Sequence, residues 1–203
     1  MAWKTANDRW LNIETVNAPI RPANSMHNPA TKHQDNFAFA SVDYWDLRRI
    51  LHRVAPSAQD VVFEIGAGLG RAACLFARYP IRKVVAIELN PVLCEHLARN
   101  ARTLRGRRCQ IEIRSEDAVQ TRFDDGTIFF LYNPFGPDTL RDVLANVRSS
   151  QLAVPRPVQL VYVNPQAGHR AVFSQQAWLS DAGRMRTLHG LDVFFFRTSR
   201  GTP

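Results

Sequence analysis

The sequence predicts an α/β fold, a doubly wound and mostly parallel sheet finished by a C-terminal antiparallel hairpin. Three observations carry that expectation. From Val61 onward, short apolar runs alternate with helical periodicities. A glycine-rich turn joins the first apolar run to the helical pattern behind it. Near the end, two β-rich runs, residues 185–188 and 191–197, flank His189-Gly190 as the arms of a hairpin would.

Residues 1–36 show little periodicity, and Pro19, Pro22 and Pro29 break any long helix or strand, so this part reads as an N-terminal arm. Over residues 41–54, Leu47, Ile50, Leu51 and Val54 recur at helical spacing, with Ser41 or Asp43 as N-cap and Ala55-Pro56 as the stop. Residues 1–55 are therefore expected to form an arm and cap helix, and residues 56–203 the main domain. Strands are expected at residues 61–65, 83–88, 109–114, 127–132 and 158–164. Helices are expected at residues 70–79, 91–104, 139–148 and 171–179. The second of these has Asn90 as N-cap and Pro91 at the first helical position.

The composition is globular, with 45% hydrophobic, 22% charged and 10% aromatic residues among 203. One domain is expected, too short for a two-domain dehydrogenase and large enough to need no metal or disulfide staple. No apolar stretch approaches the roughly 18 residues of a spanning helix, and the first ten residues are polar, so neither membrane span nor signal peptide is expected. Cys74, Cys94 and Cys109 stand singly, which argues against a zinc site or disulfide framework and for reduced, cytoplasmic thiols. The six histidines show no metal-ligand spacing. The net charge of +8 rests almost wholly on arginine and permits an acidic partner. Its densest group, Arg99, Arg102, Arg105, Arg107, Arg108 and Arg114, follows a helix on the side away from the expected pocket. It reads as a solvated face, so nucleic acid remains an open partner without positive support.

In Glu64-Ile65-Gly66-Ala67-Gly68-Leu69-Gly70 the missing Cβ atoms allow close backbone approach, and the N–H groups that open the next helix attract anionic groups. Glu88 ends the second strand 22 positions after Gly66, where a doubly wound sheet brings a carboxylate over a ribose. The spacing is G-x-G-x-G with Glu64 two residues upstream, unlike a nicotinamide-binding turn. A carboxylate there repels pyrophosphate and suits a cationic ligand lacking phosphate, such as S-adenosylmethionine.

With these motifs the stretch from Val61 to about Tyr162 resembles class I S-adenosylmethionine-dependent methyltransferases. The resemblance implies S-adenosyl-L-methionine as cofactor, with Gly66, Ala67 and Gly68 under its methionine part, Glu64 serving the ammonium and Glu88 the ribose. It further implies an acid after the third strand for the adenine amino group. Asp117 is preferred there, because small Ala118 follows, and Glu116 is the rival. Asn133-Pro134-Phe135-Gly136-Pro137 is similar to the Asn/Asp-Pro-Pro-aromatic element of nitrogen methyltransferases, with one proline absent. It also resembles a segment of nucleosome-core histone-lysine methyltransferases, two residues shorter. Asn133 would orient the target amine, with Pro134 and Phe135 beside it; a neutral amide does so without favouring the protonated form. The resemblance implies methyl transfer to a nucleophile, nitrogen first, on a protein or small molecule. An NAD(P)-binding oxidoreductase and a non-enzymatic binding module are the alternatives. Phe37 and Phe39, before the cap helix, are expected to pack the arm onto the core, and Asn164-Pro165 to border the pocket.

Overall fold

A computed structural model describes residues 2–16, 35–37 and 40–198. Seven strands form one sheet in the order β3-β2-β1-β4-β5-β7-β6. These are β1 (Val61–Ile65), β2 (Lys83–Glu88), β3 (Gln110–Ser115), β4 (Ile128–Tyr132), β5 (Gln159–Val163), β6 (Leu179–Arg186) and β7 (Asp192–Thr198). β1 to β5 run parallel; β7 lies antiparallel between β5 and β6. The direction of winding reverses between β1 and β4, which opens a crevice beyond their carboxyl ends. That is where the glycine turn and the Asn133 loop emerge.

The central strands are buried on both faces, which is why β1 and β4 read as apolar runs without alternation. Their side chains divide by pleat. Val62, Phe130 and Val161 point into one core, and Phe63, Phe129 and Leu160 into the other. The first core is closed by α2 (Tyr44–Val54), α3 (Arg71–Phe76) and α4 (Pro91–Thr103), the second by α5 (Pro137–Ala153) and α6 (Ala167–Ser174). Edge strand β6 is mostly exposed and carries a bulge between Asp181 and Arg184, which blunts it against further pairing.

Local chemistry sets the helix ends. Asp43 caps α2 by accepting from the Trp45 N–H at 3.0 Å, and Ala55, at φ 49°, ends it. Asn90 caps α4, with Pro91 at its first position.

Three sequence expectations need correction. The arm begins with a helix, α1 (Ala2–Leu11), that periodicity missed because its buried face includes polar Asn7 and Asp8. α6 starts at Ala167, four residues before the expected 171–179, because Gln166 and His169 form a reciprocal capping box at its start. α6 ends at Ser174, and Leu179, the last residue of that prediction, already opens β6. α5 extends beyond residues 139–148 at both ends, since Pro137 fits its first turn and residues 149–153 continue it without an apolar stripe.

Candidate cofactor and substrate site

The turn after β1 is held from two sides. Gly66 and Ala67 both donate to the Ile87 carbonyl at 2.9 Å. Gly66, at φ 73°, meets two demands that only glycine satisfies: the left-handed backbone, and a Cβ position already filled by the Pro134 ring. Gly68 donates to Glu88 Oε2 at 2.7 Å, while Asn90 donates to Glu88 Oε1 at 2.9 Å. The end of β2 is thereby clamped to the glycine turn. Burial raises the Glu88 pKa, and the backbone N–H groups of Asn90 and Gly68 oppose the rise. A carboxylate has about four acceptor sites, so two backbone bonds leave capacity for further donors.

Glu64 is 5% exposed and accepts from the Ala73 N–H at 2.7 Å, inside the first turns of α3. Burial pushes its pKa up to about 8; the Ala73 N–H works against the rise and the Glu88 charge adds to it. With Gly66, Ala67, Tyr132 and residues 40–42 of the chain entering α2, it lines one small cleft.

Asp117 follows β3, whose Ser115 lies in register with Glu88, so both acids lie at the same edge of the sheet. Its Oδ1 caps a 3-10 turn (Ala118–Gln120) by accepting from Val119 at 3.0 Å. Its Oδ2 is buried and has no hydrogen-bond partner among the described residues. Glu116 is committed elsewhere, accepting from Thr121 Oγ1 at 2.9 Å. An unpaired buried carboxylate oxygen costs free energy that an incoming N–H would recover.

Beyond β4 the chain turns at Asn133, where φ is 41°, a conformation asparagine tolerates better than most residues. Its Oδ1 lies 3.4 Å from the Tyr162 hydroxyl, a long contact that leaves the amide available. The loop is held by groups far away in sequence. Phe37 N–H donates to the Pro134 carbonyl at 3.0 Å, and Asn36 bridges Phe135 in antiparallel fashion. Asp35 accepts from the Thr139 N–H and hydroxyl, at 3.3 and 2.5 Å, capping α5 where Gly136 has no side chain to do so. His169, 1% exposed, accepts the Gln166 N–H on Nδ1, which leaves Nε2–H to donate to the Phe135 carbonyl at 2.9 Å.

Two placements differ from expectation. Phe135 is 4% exposed and packs in the α5/α6 core, so its ring faces no open space beside Asn133. Phe37 is 43% exposed and its ring stands nearly perpendicular to that of His169, centroids 6.3 Å apart, while Phe39 lies outside the described residues. The arm is instead held by backbone bonding at Asp35, Asn36 and Phe37. Asn164, at φ 61°, ends β5 and accepts from the Gln166 side chain.

Sequence reasoning missed Asp35, Tyr162, His169 and Arg71. Each acts through partners more than 25 positions away, and no local pattern marks such a contact. Among the described residues no cluster of three or more His, Cys, Asp or Glu is arranged to hold a metal, and no helix is long and apolar enough to cross a membrane.

The strand order, the glycine turn, the acid that ends β2 and the acid that follows β3 define the fold of class I S-adenosylmethionine-dependent methyltransferases. The family model for ribosomal RNA adenine dimethylase matches residues 33–128, just under half of the chain. A comparison with curated proteins found no match. Among solved structures, an RNA methyltransferase from Salinibacter ruber in complex with S-adenosyl-L-homocysteine has a TM-score of 0.59 and 20% identity, over 81% of this chain and 97% of that one. A SAM-dependent O-methyltransferase from Thermotoga maritima has a TM-score of 0.62 and 14% identity, over 81% and 69%. Precorrin 8W decarboxylase from Methanobacterium thermoautotrophicum has 0.57 and 14%, over 89% and 99%. These findings support a class I methyltransferase enzyme with S-adenosylmethionine as cofactor. They give no support to the likeness with histone-lysine methyltransferases, which rested on a short, proline-rich loop.

Proposed function

We propose that the protein transfers a methyl group from S-adenosylmethionine to a nitrogen of RNA, the adenine amino group first. The observation that carries this reading is the seating of Pro134 directly on Gly66, which brings the adjoining Asn133, a neutral amide acceptor, to the loop beside the cofactor turn. The family match to ribosomal RNA adenine dimethylase supports adenine over a protein or small-molecule acceptor.

The residues fit the cofactor. The unpaired Asp117 Oδ2 suits an adenine amino donor, and the spare acceptor sites of Glu88 suit ribose hydroxyls. Glu64, beside Gly66 and Ala67 in the cleft, suits a cationic amino-acid end. When bound, the cofactor supplies a methyl group on a sulfonium, already a good leaving group. The protein must therefore hold the nucleophile in line and exclude competing water. Asn133 Oδ1 accepts one N–H of the target amine and fixes its direction. The adenine amino group is neutral at physiological pH, so no base is needed before attack. Asp117, Glu88 and Glu64 would hold the cofactor, which supplies the methyl carbon and whose sulfur keeps the carbon–sulfur electron pair, while Asn133 would hold the nitrogen in line and the released proton would go to water.

The test pairs calorimetry with transfer of labelled methyl groups to RNA. S-adenosylmethionine should bind where NAD does not, and label should appear on adenine. Asn133→Ala should keep cofactor affinity and lower turnover about tenfold, the worth of one hydrogen bond of about 1.4 kcal/mol. Binding of NAD alone overturns the cofactor assignment; labelling of protein in place of RNA overturns the acceptor.

A further inference from the structure

Outside the cleft, the exposed side of α2 and the adjoining edge strand β6 form a groove of about 420 Å³ lined by Trp45, Arg48, Arg49, His52, Arg53 and Met185. None of the six is acidic. The guanidinium groups are anchored largely on neutral acceptors. Arg53 donates to the carbonyls of Arg184 and Ala182 at 2.9 and 2.8 Å and lies over the Phe195 ring, and Arg48 donates to Asn7 Oδ1 at 2.8 Å. Arg49 donates to the Arg186 carbonyl and pairs with Asp46, the one carboxylate these side chains meet among the described residues. A carbonyl fixes a guanidinium in place without cancelling its charge. Arg48 and Arg53 thus carry positive charge that no carboxylate pairs among the described residues, while that of Arg49 is partly offset by Asp46.

At the end of the groove nearest the cleft stands Trp45, 50% exposed although it is large and apolar. Val42 and Leu47, on either side of it in sequence, line the cleft with Glu64 and Gly66. The 11 residues of α2 extend about 16 Å from there. Fixed cations along a groove, with an exposed aromatic face among them, suit a strand that has phosphates along its length and bases free to stack.

Resting on the RNA reading above, we propose that this groove between α2 and β6 binds single-stranded RNA next to the target nucleotide, with one base stacked on Trp45. Substrate affinity then resides in α2 and β6, and not in the arginines of α4 and the loop behind it.

Fluorescence anisotropy with a labelled single-stranded 12-nucleotide RNA tests this, and calorimetry with S-adenosylmethionine reports the cofactor site of each variant. Trp45→Ala should weaken RNA binding about tenfold or more, and His52→Glu, which puts a negative charge on an exposed position, several-fold. Both should bind S-adenosylmethionine like the parent, which also shows that they are folded. Affinity should fall steeply with salt. Arg102→Glu with Arg108→Glu, in α4 and the loop that follows it, should leave RNA binding unchanged. The inference is overturned if those two changes abolish RNA binding while the groove variants do not. It is also overturned if the parent binds S-adenosylmethionine but not RNA, or if it binds phosphatidylserine vesicles in place of RNA. Failure to bind S-adenosylmethionine at all instead overturns the methyltransferase reading.

Discussion

Glu64 sits at the start of the glycine turn with its carboxyl buried and hydrogen-bonded to the Ala73 N–H. Its folded-state pKa of about 8 lies above the ordinary 4.5, so between those values the native protein holds a proton that the unfolded chain has released. The stability this group contributes is fully present below about pH 4.5 and is lost as pH rises through about 8. Glu64→Gln, which mimics the protonated form and keeps an acceptor for Ala73, should match the parent's melting temperature near pH 4.5 and exceed it at pH 8.5. Thermal denaturation at the two pH values checks this; a variant less stable at pH 8.5 would show that the carboxylate is favourably solvated in the native cleft. The acids around the turn differ in how far sequence revealed them. Glu88 was marked by its strand-end position. The choice of Asp117 over Glu116 was suggested by the small residue after it, and the structure distinguishes the two by hydrogen bonding: Glu116 is spent on Thr121, and Asp117 keeps a buried oxygen unpaired.

Among the elements, the short arm segment Asp35 to Phe37 determines the shape of the Asn133 loop. It bridges Phe135, donates to the Pro134 carbonyl and caps α5 through Asp35. Gly136 cannot cap that helix with a side chain, so a residue 104 positions away from Thr139 does so. Asp35→Ala should lower stability by about 1 kcal/mol, the usual worth of an N-cap. It should also lower methyl transfer more than cofactor affinity, because the loop that carries Asn133 loses an anchor. Urea denaturation with cofactor titration separates the two effects, and an equal loss in both would show that the cap serves folding alone. Nothing in local sequence foretold this pairing. The five parallel strands, in contrast, were legible almost to the residue, since β1, β2 and β4 are apolar runs bounded by polar turns, whereas β6 begins at Leu179, six residues before the expected hairpin arm. Helix α1 was not, because it buries amide and carboxylate groups where a periodicity search expects apolar ones.

Across the whole molecule, the N-terminal part is tied to the glycine turn by a buried polar network. Arg71, the first residue of α3, donates to the Thr15 hydroxyl at 2.8 Å, to the Thr15 carbonyl at 3.2 Å and to the Val42 carbonyl at 3.0 Å. Asp8 accepts from Tyr44, from the Thr15 hydroxyl and from the Thr15 N–H. Asn100 of α4 joins Glu14 to the Leu69 carbonyl within the turn itself. Arg71→Met fills similar volume but leaves these acceptors unmatched. It should cost about 1–3 kcal/mol for each group left without a partner, read as a lower urea midpoint. A midpoint unchanged by the substitution would show that water replaces the guanidinium and that the arm is not latched through it.

The sequence by itself determined the α/β class, the positions of the five parallel strands, the glycine turn and the acid that ends β2. These follow from backbone period, glycine conformation and spacing along one chain, all of which are local. Tertiary structure alone decided which acid after β3 keeps an unpaired oxygen and that Phe135 belongs to the core. It also decided that Asp35 and His169 hold the Asn133 loop, and that arginines of α2, not the denser group between Arg99 and Arg114, share a groove with Trp45. Those outcomes depend on which distant groups meet and on which charges find neutral partners. A linear sequence carries no signal for either until the chain has closed on itself.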